Sequence, residues 1–520
     1  MNGADVLCDT LLAGDVDVCF ANPGTSEMHF VAALDRKPAM RCVLGLFEGV
    51  VTGAADGYAR MADKPAATLM HLGPGLANGL ANLHNARRAG TPVVNIVGEH
   101  ATYHLPFDAP LTSDIESLAR PMSAWVGRIG HSDDVGERAA QAIAASRANG
   151  GSVATLILPA DAAWGETSQT APGVPPAADG GIPDEAVLRD VASRLRNDGR
   201  NGRRTLLLLS GRALRADALV VAGRIAQATG ARLLAQQSNA RIERGSGRVP
   251  IERVLYNIDA CTADLANIEQ VVLIGAKAPV GFFAYPGKPS DMLPPGCDVV
   301  TYTTRGHDAL ASLRALAEAL GLKADAPVTL AAAATQEPPT GALTPAAIAA
   351  VVGRHLPEGA IVCDEAITSG HAFFKLTMGA APHDFLALTG GAIGAGQPMG
   401  TGAAVACPDR KVVCLQADGS GMFTLQALWT QARERLDVVT IIFANRGYAI
   451  LHNELKQVGA GEAGHNARRM LDLVDPTLDW VKLAAGMGVE ATCVDTIERF
   501  NDVFAMAMRR RGPFLIEARI

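Results

Sequence analysis

The chain has 520 residues, enough for about three domains at 100–200 residues each, and its 48% hydrophobic residues against 19% charged ones exclude wholesale disorder. Its formal net charge of −7 argues against a nucleic-acid-binding body and against a polybasic membrane anchor. Nine cysteines, with no C-x-x-C and no zinc spacing, read as reduced thiols, with Cys8, Cys42, Cys363 and Cys414 in apolar runs as core residues. With no basic leader before Asp5 and Asp9, this predicts a cytoplasmic protein.

In the first third of the chain, apolar runs at Val16–Ala21, Arg41–Gly45, Ala67–His71, Val93–Val97 and Val153–Leu158 read as buried strands. Helical patterns lie between them at Met1–Leu12, Ser26–Leu34, Phe47–Met61 and Leu76–Arg88. Continuous apolar strands alternating with helices predict a parallel sheet covered on both faces. A proline- and glycine-rich linker follows at Ser168–Pro183. The middle block repeats the alternation, with strands at Thr205–Ser210, Arg232–Ala235, Gln270–Gly275 and Asp298–Tyr302 and a helix at Ala216–Thr229. A second linker, Ala326–Pro345, precedes strands at Ala360–Asp364, Lys411–Gln416, Val438–Ala444 and Pro513–Ala518 and helices at Thr424–Arg433 and Thr477–Met487. The uncharged run Phe385–Cys407 holds six glycines with Gln397 and Pro398, which speaks against a membrane span. The expected architecture is α/β, three doubly wound parallel-sheet domains at 1–167, 184–325 and 346–520.

The strongest local signal lies in the third block. Strand Lys411–Gln416 runs into Ala417-Asp418-Gly419-Ser420, and the next strand ends at Asn445-Arg446-Gly447, with Asn445 27 positions after Asp418. Doubly wound sheets bind ligands beyond the carboxyl ends of their strands, so Asp418 and Asn445 are predicted side by side. A carboxylate, an amide oxygen and the Gly447 backbone carbonyl are hard oxygen ligands. With two diphosphate oxygens and a water they complete an octahedral Mg²⁺ shell.

This pattern resembles the diphosphate–Mg²⁺ motif of thiamine diphosphate (ThDP) enzymes. FANPGTSE (20–27), GLFEGVVTGAADGYAR (45–60), HLGPG (71–75) and ALTGGAIGAGQP (387–398) extend the resemblance over nearly the whole chain. The chain is similar to the 2-oxo acid decarboxylase/acetolactate synthase superfamily, with benzoylformate decarboxylases and acetolactate synthase large-subunit-like proteins as the nearest patterns. The resemblance implies pyrimidine-binding, central and diphosphate-binding domains.

It also implies roles for particular residues. Glu48 falls on the glutamate that hydrogen-bonds N1′ of the aminopyrimidine, where a proton favours the imino tautomer that takes the thiazolium C2 proton. Leu46, Phe47, Val50 and Val51 are expected to desolvate Glu48 and favour its protonated form. Ile393 falls on the aliphatic residue that holds the two cofactor rings in their folded conformation. Glu365, Ala366, Ile367 and Thr368 are implied ThDP neighbours, together with Asp418, Gly419, Ser420, Asn445 and Gly447. The small residues Gly53, Ala54, Ala55 and Gly57 fall in a region used at a dimer interface. Glu48 then comes from one subunit and Asp418 and Asn445 from the other, in a homodimer at minimum and a homotetramer as the expected form.

On the substrate side, Thr25 matches a serine that contacts the substrate carboxylate, and His71 matches an active-site histidine. The chain departs from the pattern elsewhere. Ala278–Gly287 contains no second histidine, residues 108–111 lack a His-His pair, and Leu451 stands where the decarboxylases carry an acid. An apolar pocket of Pro110, Leu111, Phe282, Phe283, Ile450 and Leu451 is expected, with His100, His104 and His452 unplaced. The expected activity is carboligation on a 2-oxo acid donor and a carbonyl acceptor, with ThDP and Mg²⁺. The alternatives are simple decarboxylation, a flavin-linked oxidase for which FAD is possible without a signature, and a non-catalytic ThDP-binding homologue. No nucleic-acid or membrane partner is expected.

Overall fold

The structure, a computed structural model, describes residues 1–176, 180–334 and 337–520, with backbone alone at 198–201. Residues 177–179 of the first predicted linker and 335–336 of the second lie outside the described residues. The first sheet contains β1 (Val18–Asn22), β2 (Arg41–Leu44), β3 (Ala66–Met70), β4 (Val93–Glu99), β5 (Trp125–Arg128) and β6 (Val153–Pro159), ordered 2-1-3-4-6-5 and parallel throughout. The middle block contributes β7 (Thr205–Leu209), β8 (Arg232–Ala235), β9 (Ile242–Arg244), β10 (Glu252–Arg253), β11 (Gln270–Ile274) and β12 (Asp298–Thr303), of which five pair in the order 10-8-7-11-12. The third sheet is built on β13 (Ala360–Glu365), β14 (His383–Ala387), β15 (Val412–Ala417), β16 (Val438–Ala444), β17 (Glu490–Val494) and β18 (Phe514–Arg519). Its order is 17-18-16-15-13-14-9, so β9 of the middle block closes its edge.

That edge strand is antiparallel, pairing Phe385 with Ile242 and His383 with Arg244. Neither it nor β5 and β17 stands out in the sequence, because each is short and half-polar and its strand character comes from its neighbour. The predicted helix at Leu76 begins earlier, at Leu72, and takes in Gly73-Pro74-Gly75. Proline is tolerated in a first turn, where its missing N–H has no intrahelical acceptor. The uncharged run 385–407 forms β14, a loop and the helix Gly396–Ala406. Among the described residues no helix is long and apolar enough to cross a membrane.

Cys8, Cys363 and Cys414 are buried as expected. Cys42 is exposed instead, because β2 is an edge strand and its apolar sequence has no covering neighbour on that side.

The first and third sheets share a core. Val51, Ala55, Leu76 and Leu83 from the first domain pack with Met399, Ala403, Cys363 and Cys414 from the third. Helices Glu48–Ala62 and Gly396–Ala406 cross so closely that a Cβ on Gly57 would lie 2.0 Å from the Met399 carbonyl oxygen, and one on Gly402 1.8 Å from that of Ala54. The small-residue stripe read as an interface between subunits therefore packs, at Gly53, Ala54 and Gly57, against a helix of its own chain.

Arg60 ties three blocks at one point. It pairs with Asp56 through two bonds of 2.8 and 2.6 Å, and donates to the carbonyls of Ala387 (2.8 Å) and Ala240 (3.3 Å). Thr91 donates to the same Asp56 carboxylate at 2.6 Å. Both charged side chains are 2% exposed. Arg60→Leu leaves Asp56 buried and uncompensated, at a cost of about 3–5 kcal/mol. A lowered denaturation midpoint is the expected result, and an unchanged one removes this bridge from the stability of the chain.

Candidate active site

Asp418 follows β15 directly and opens the single helical turn Asp418–Gly421. Its residue is 3% exposed. One carboxylate oxygen accepts the Gly419 N–H at 2.9 Å and the other the Arg446 N–H at 2.7 Å. Burial pushes the Asp418 carboxyl above its ordinary range, while these N–H groups pull it down. Asn445 follows the neighbouring strand β16, and its Oδ1 accepts the Gly447 N–H at 3.1 Å. Arg446 between them has a positive φ of 61°, which turns the chain sharply back toward Asp418. Ser420 accepts a bond of 2.6 Å from Gln416 and donates to the Ala417 carbonyl at 3.3 Å.

The donor set suits a hard, oxygen-ligated cation. It offers one carboxylate, one amide oxygen and the Gly447 carbonyl, and among the described residues no three His, Cys, Asp or Glu side chains gather to hold a metal alone. Such a site leaves part of the shell to phosphate oxygens and water, which is how Mg²⁺ is bound with diphosphates.

Glu365 ends β13, one strand away, and is 1% exposed. Its two oxygens accept the N–H groups of Gly394 and Gly396, each at 2.5 Å, and Gln416 donates at 3.2 Å. Burial outweighs those bonds and raises its carboxyl to about 7. Glu365 is thus committed to holding the glycine-rich loop that carries Ile393. Ala366 is buried beneath it, and Ile367 (φ 52°) and Thr368 form the following turn.

The first domain grips the loop from the other side. Asn85 donates to the Ala392 carbonyl at 2.8 Å and accepts the Ala392 N–H at 3.2 Å. His84 bonds the Gly390 carbonyl at 3.1 Å. Asn82 bridges the Gly49 carbonyl (2.8 Å) and the Gly394 carbonyl (3.1 Å), so it ties the residue after Glu48 to the residue after Ile393. Sequence reasoning missed all three. The available signal was two asparagines in the interior of an otherwise apolar helical pattern.

Glu48 is the first residue of its helix and half-buried. Asn78 donates to its Oε2 at 3.0 Å, and a Cβ on Gly75 would lie 3.1 Å from its Oε1. Val50 and Val51 are buried, but Leu46 is 45% exposed, so the expected apolar wall is incomplete within one chain.

His71 follows β3 and caps the helix Leu72–Ala89. Its Nδ1 lies 2.8 Å from Glu27, a carboxyl with no exposed surface. The same oxygen accepts the Gly24 N–H at 2.7 Å, and the other, Oε1, is buried without a partner among the described residues. Burial raises the Glu27 carboxyl, while Gly24 and His71 lower it. Glu27 was passed over in the sequence because a polar turn, Thr25-Ser26-Glu27, gives no sign that its last side chain points inward. Thr25 itself is exposed in that turn.

A Cβ on Gly24 would stand 2.3 Å from the His71 ring. Gly24→Ala is therefore expected to displace the imidazole, and misplacement of about 1 Å can cost about 100-fold in rate. Turnover of a 2-oxo acid checks this, and an unaltered rate would separate His71 from the reaction.

Thr25, Glu48, His71, Pro110 and Leu111 all lie past the carboxyl ends of strands in the first sheet. Asp418, Asn445, Gly447, Ile450 and Leu451 lie past those of the third. Phe282 and Phe283 project from the middle block, 46% and 52% exposed, with rings 4.9 Å apart. Phe282 reaches the glycine-rich loop, where a Cβ on Gly391 would meet its ring at 2.7 Å. Of the unplaced histidines, His100 and His104 stack edge to face at 5.4 Å, and His452 bonds Asp472 at 2.8 Å.

Residues 1–118 match the thiamine pyrophosphate enzyme N-terminal TPP-binding domain, and residues 370–518 the corresponding C-terminal TPP-binding domain. A Mycobacterium tuberculosis H37Rv protein, provisionally named acetolactate synthase large subunit IlvX, is 52% identical over 99% of this chain and 98% of its own. Benzoylformate decarboxylase of Pseudomonas aeruginosa PAO1 is 28% identical over 96% of this chain and 95% of its own. Among solved structures, the ThDP-dependent 4-hydroxybenzoylformate decarboxylase of Rhodococcus jostii RHA1 superposes with a TM-score of 0.87, at 25% identity, over 100% of this chain and 99% of that one.

Proposed function

From the premise that this chain belongs to the thiamine pyrophosphate enzymes, and so is a ThDP-dependent enzyme, we propose that it joins a 2-oxo acid donor to a second carbonyl compound, as acetolactate synthases do. When bound, ThDP supplies a carbanion equivalent that adds to a 2-oxo carbonyl and allows CO2 to leave. Asp418, Asn445 and the Gly447 carbonyl would hold its diphosphate through Mg²⁺, and Ile393 would support its rings. Glu48 of one subunit would hold a proton at the aminopyrimidine nitrogen of the cofactor seated on its partner. Thr25 and His71 would orient the donor carboxylate and carbonyl.

The observation that carries the carboligase reading is the pair Phe282 and Phe283. They bring an apolar surface to the glycine-rich loop, where a proton donor would be needed to release an aldehyde quickly. General acid catalysis is worth about 10²–10⁴-fold, so its absence lets C–C bond formation compete with protonation. The second reading, simple decarboxylation of the benzoylformate decarboxylase type, is favoured by the His71–Glu27 contact of 2.8 Å, because Glu27 holds the imidazole in place at the strand end where an acid–base group for aldehyde release would stand.

The ratio of 2-hydroxyketone to free aldehyde from one 2-oxo acid, with and without an added aldehyde acceptor, decides between them. Hydroxyketone is expected to dominate, and Phe283→His to raise the aldehyde fraction. Aldehyde as nearly the sole product at high acceptor concentration replaces the first reading with the second.

A further inference from the structure

Two cysteines stand in register on neighbouring strands at the edge of the first sheet. The parallel ladder of β1 and β2 pairs Cys19 with Cys42 and Ala21 with Leu44. Register partners in a parallel pair point to the same face, so the two thiols lie side by side. Their surroundings differ. Cys19 has no exposed surface and packs with Cys8, Ala67 and Leu69. Cys42 is exposed, because nothing pairs with the outer side of β2. Cys42 also lines a cavity of about 180 Å³, together with Ala21 and Leu44 of the same face and Val31 and Leu34 of the helix Met28–Leu34. A water takes about 30 Å³ in the liquid, so this space admits a small oxidant.

The other nearby thiols lack this combination. Cys8 shares the core of Cys19 but lies on the helix Gly3–Ala13, outside the ladder, and burial pushes its thiol up to about 12. It stays protonated and is a poor nucleophile. Cys363 and Cys414 repeat the register pairing in the third sheet, but both are buried and out of reach of an oxidant. At the edge, geometry permits a bond that is made and broken again. Neighbouring strands lie about 4.8 Å apart. That falls within the Cα separation a disulfide spans, about 4.4–6.8 Å, while its Cβ atoms must come to about 3.5–4.5 Å. β2 therefore has to move inward slightly. A four-residue edge strand with Arg41 and Cys42 exposed can yield that much, and a bond formed under strain is readily reduced.

We propose that Cys19 and Cys42 are a modification site for hydrogen peroxide, forming a reversible disulfide between the strands that lead to Thr25 and to Glu48. The Cys42 sulfur attacks one peroxide oxygen and the O–O bond breaks. The other oxygen leaves as water with the thiol proton, and Cys42 becomes a sulfenic acid. The Cys19 sulfur then attacks the Cys42 sulfur and the S–O bond breaks. The hydroxyl departs with the Cys19 proton as a second water. The two thiols lose two protons and two electrons, and one peroxide is reduced to two waters.

The test treats the full-length protein with hydrogen peroxide, blocks the remaining thiols under denaturing conditions and maps the peptides by mass, before and after dithiothreitol. The parent is expected to lose two of its nine free thiols to one intrachain bond between Cys19 and Cys42, and to regain both on reduction. Cys363 and Cys414 should stay reduced. Cys42→Ser is expected to form no disulfide, and Cys19→Ala to stop at an oxidised Cys42. If Cys19→Ala fails to fold, the parent and Cys42→Ser, which alters an exposed side chain, decide the question. Nine free thiols after treatment overturn the proposal. So does a bond from Cys42 to Cys8 or to a second chain, or a Cys42 oxidised irreversibly beside a free Cys19.

Discussion

Glu48→Gln is expected to bind ThDP and lose turnover by about 10²–10⁴-fold, the range for removing a positioned acid–base group. Glutamine keeps the shape and the acceptor oxygen that Asn78 addresses at 3.0 Å, so the helix start should stand. It cannot pass a proton to a ring nitrogen. The loss should therefore fall on kcat with little change in cofactor affinity. Hydrogen–deuterium exchange at C2 of the bound cofactor isolates the step. Exchange at the parental rate in Glu48→Gln would remove Glu48 from the chemistry. The half-exposed setting of this carboxyl in a single chain adds a second expectation. Dilution to monomer should abolish exchange in the parent, because Leu46 and the open side of Glu48 await a covering surface.

Asp418→Ala is expected to weaken Mg²⁺-dependent ThDP binding by more than about 100-fold. That exceeds the 10–100-fold typical of losing a group that only orients a metal ligand. Two causes add. The carboxylate is the sole charged oxygen in the donor set, and it also fixes the Arg446 N–H at 2.7 Å, which holds the turn bearing Asn445. Asp418→Asn keeps that acceptor and removes the charge, so the difference between the two variants divides metal charge from turn geometry. Titration calorimetry at several Mg²⁺ concentrations gives both. Unaltered affinity with an unaltered Mg²⁺ requirement would reject the metal role.

The cofactor family was legible because its signals are local and ordered along the chain. Apolar runs alternating with helical patterns dictate parallel sheets, since a strand buried on both faces must be apolar throughout. A parallel sheet places the residues after its strands on one edge, so Asp418 and Asn445 meet without any long-range information. Glu48 and His71, assigned by the resemblance, follow β2 and β3, which flank β1 in the first sheet. Substrate preference was not legible to that degree, because it depends on side chains from three domains that no local pattern relates.

What the sequence determined by itself was the class of each segment and which strand ends would carry chemistry, for those follow from hydrophobic periodicity and chain connectivity. Tertiary structure alone decided where particular polar atoms are spent. Glu27 turns inward to His71, Glu365 accepts two loop amides, Asn82 and Asn85 clasp a loop some 300 residues away, and β9 leaves its own block to close another sheet. Burying a carboxylate or an amide is unfavourable until a partner is supplied, and each partner here comes from a distant part of the chain. No window of sequence contains both halves of such a bond, so its existence is fixed only when the domains pack.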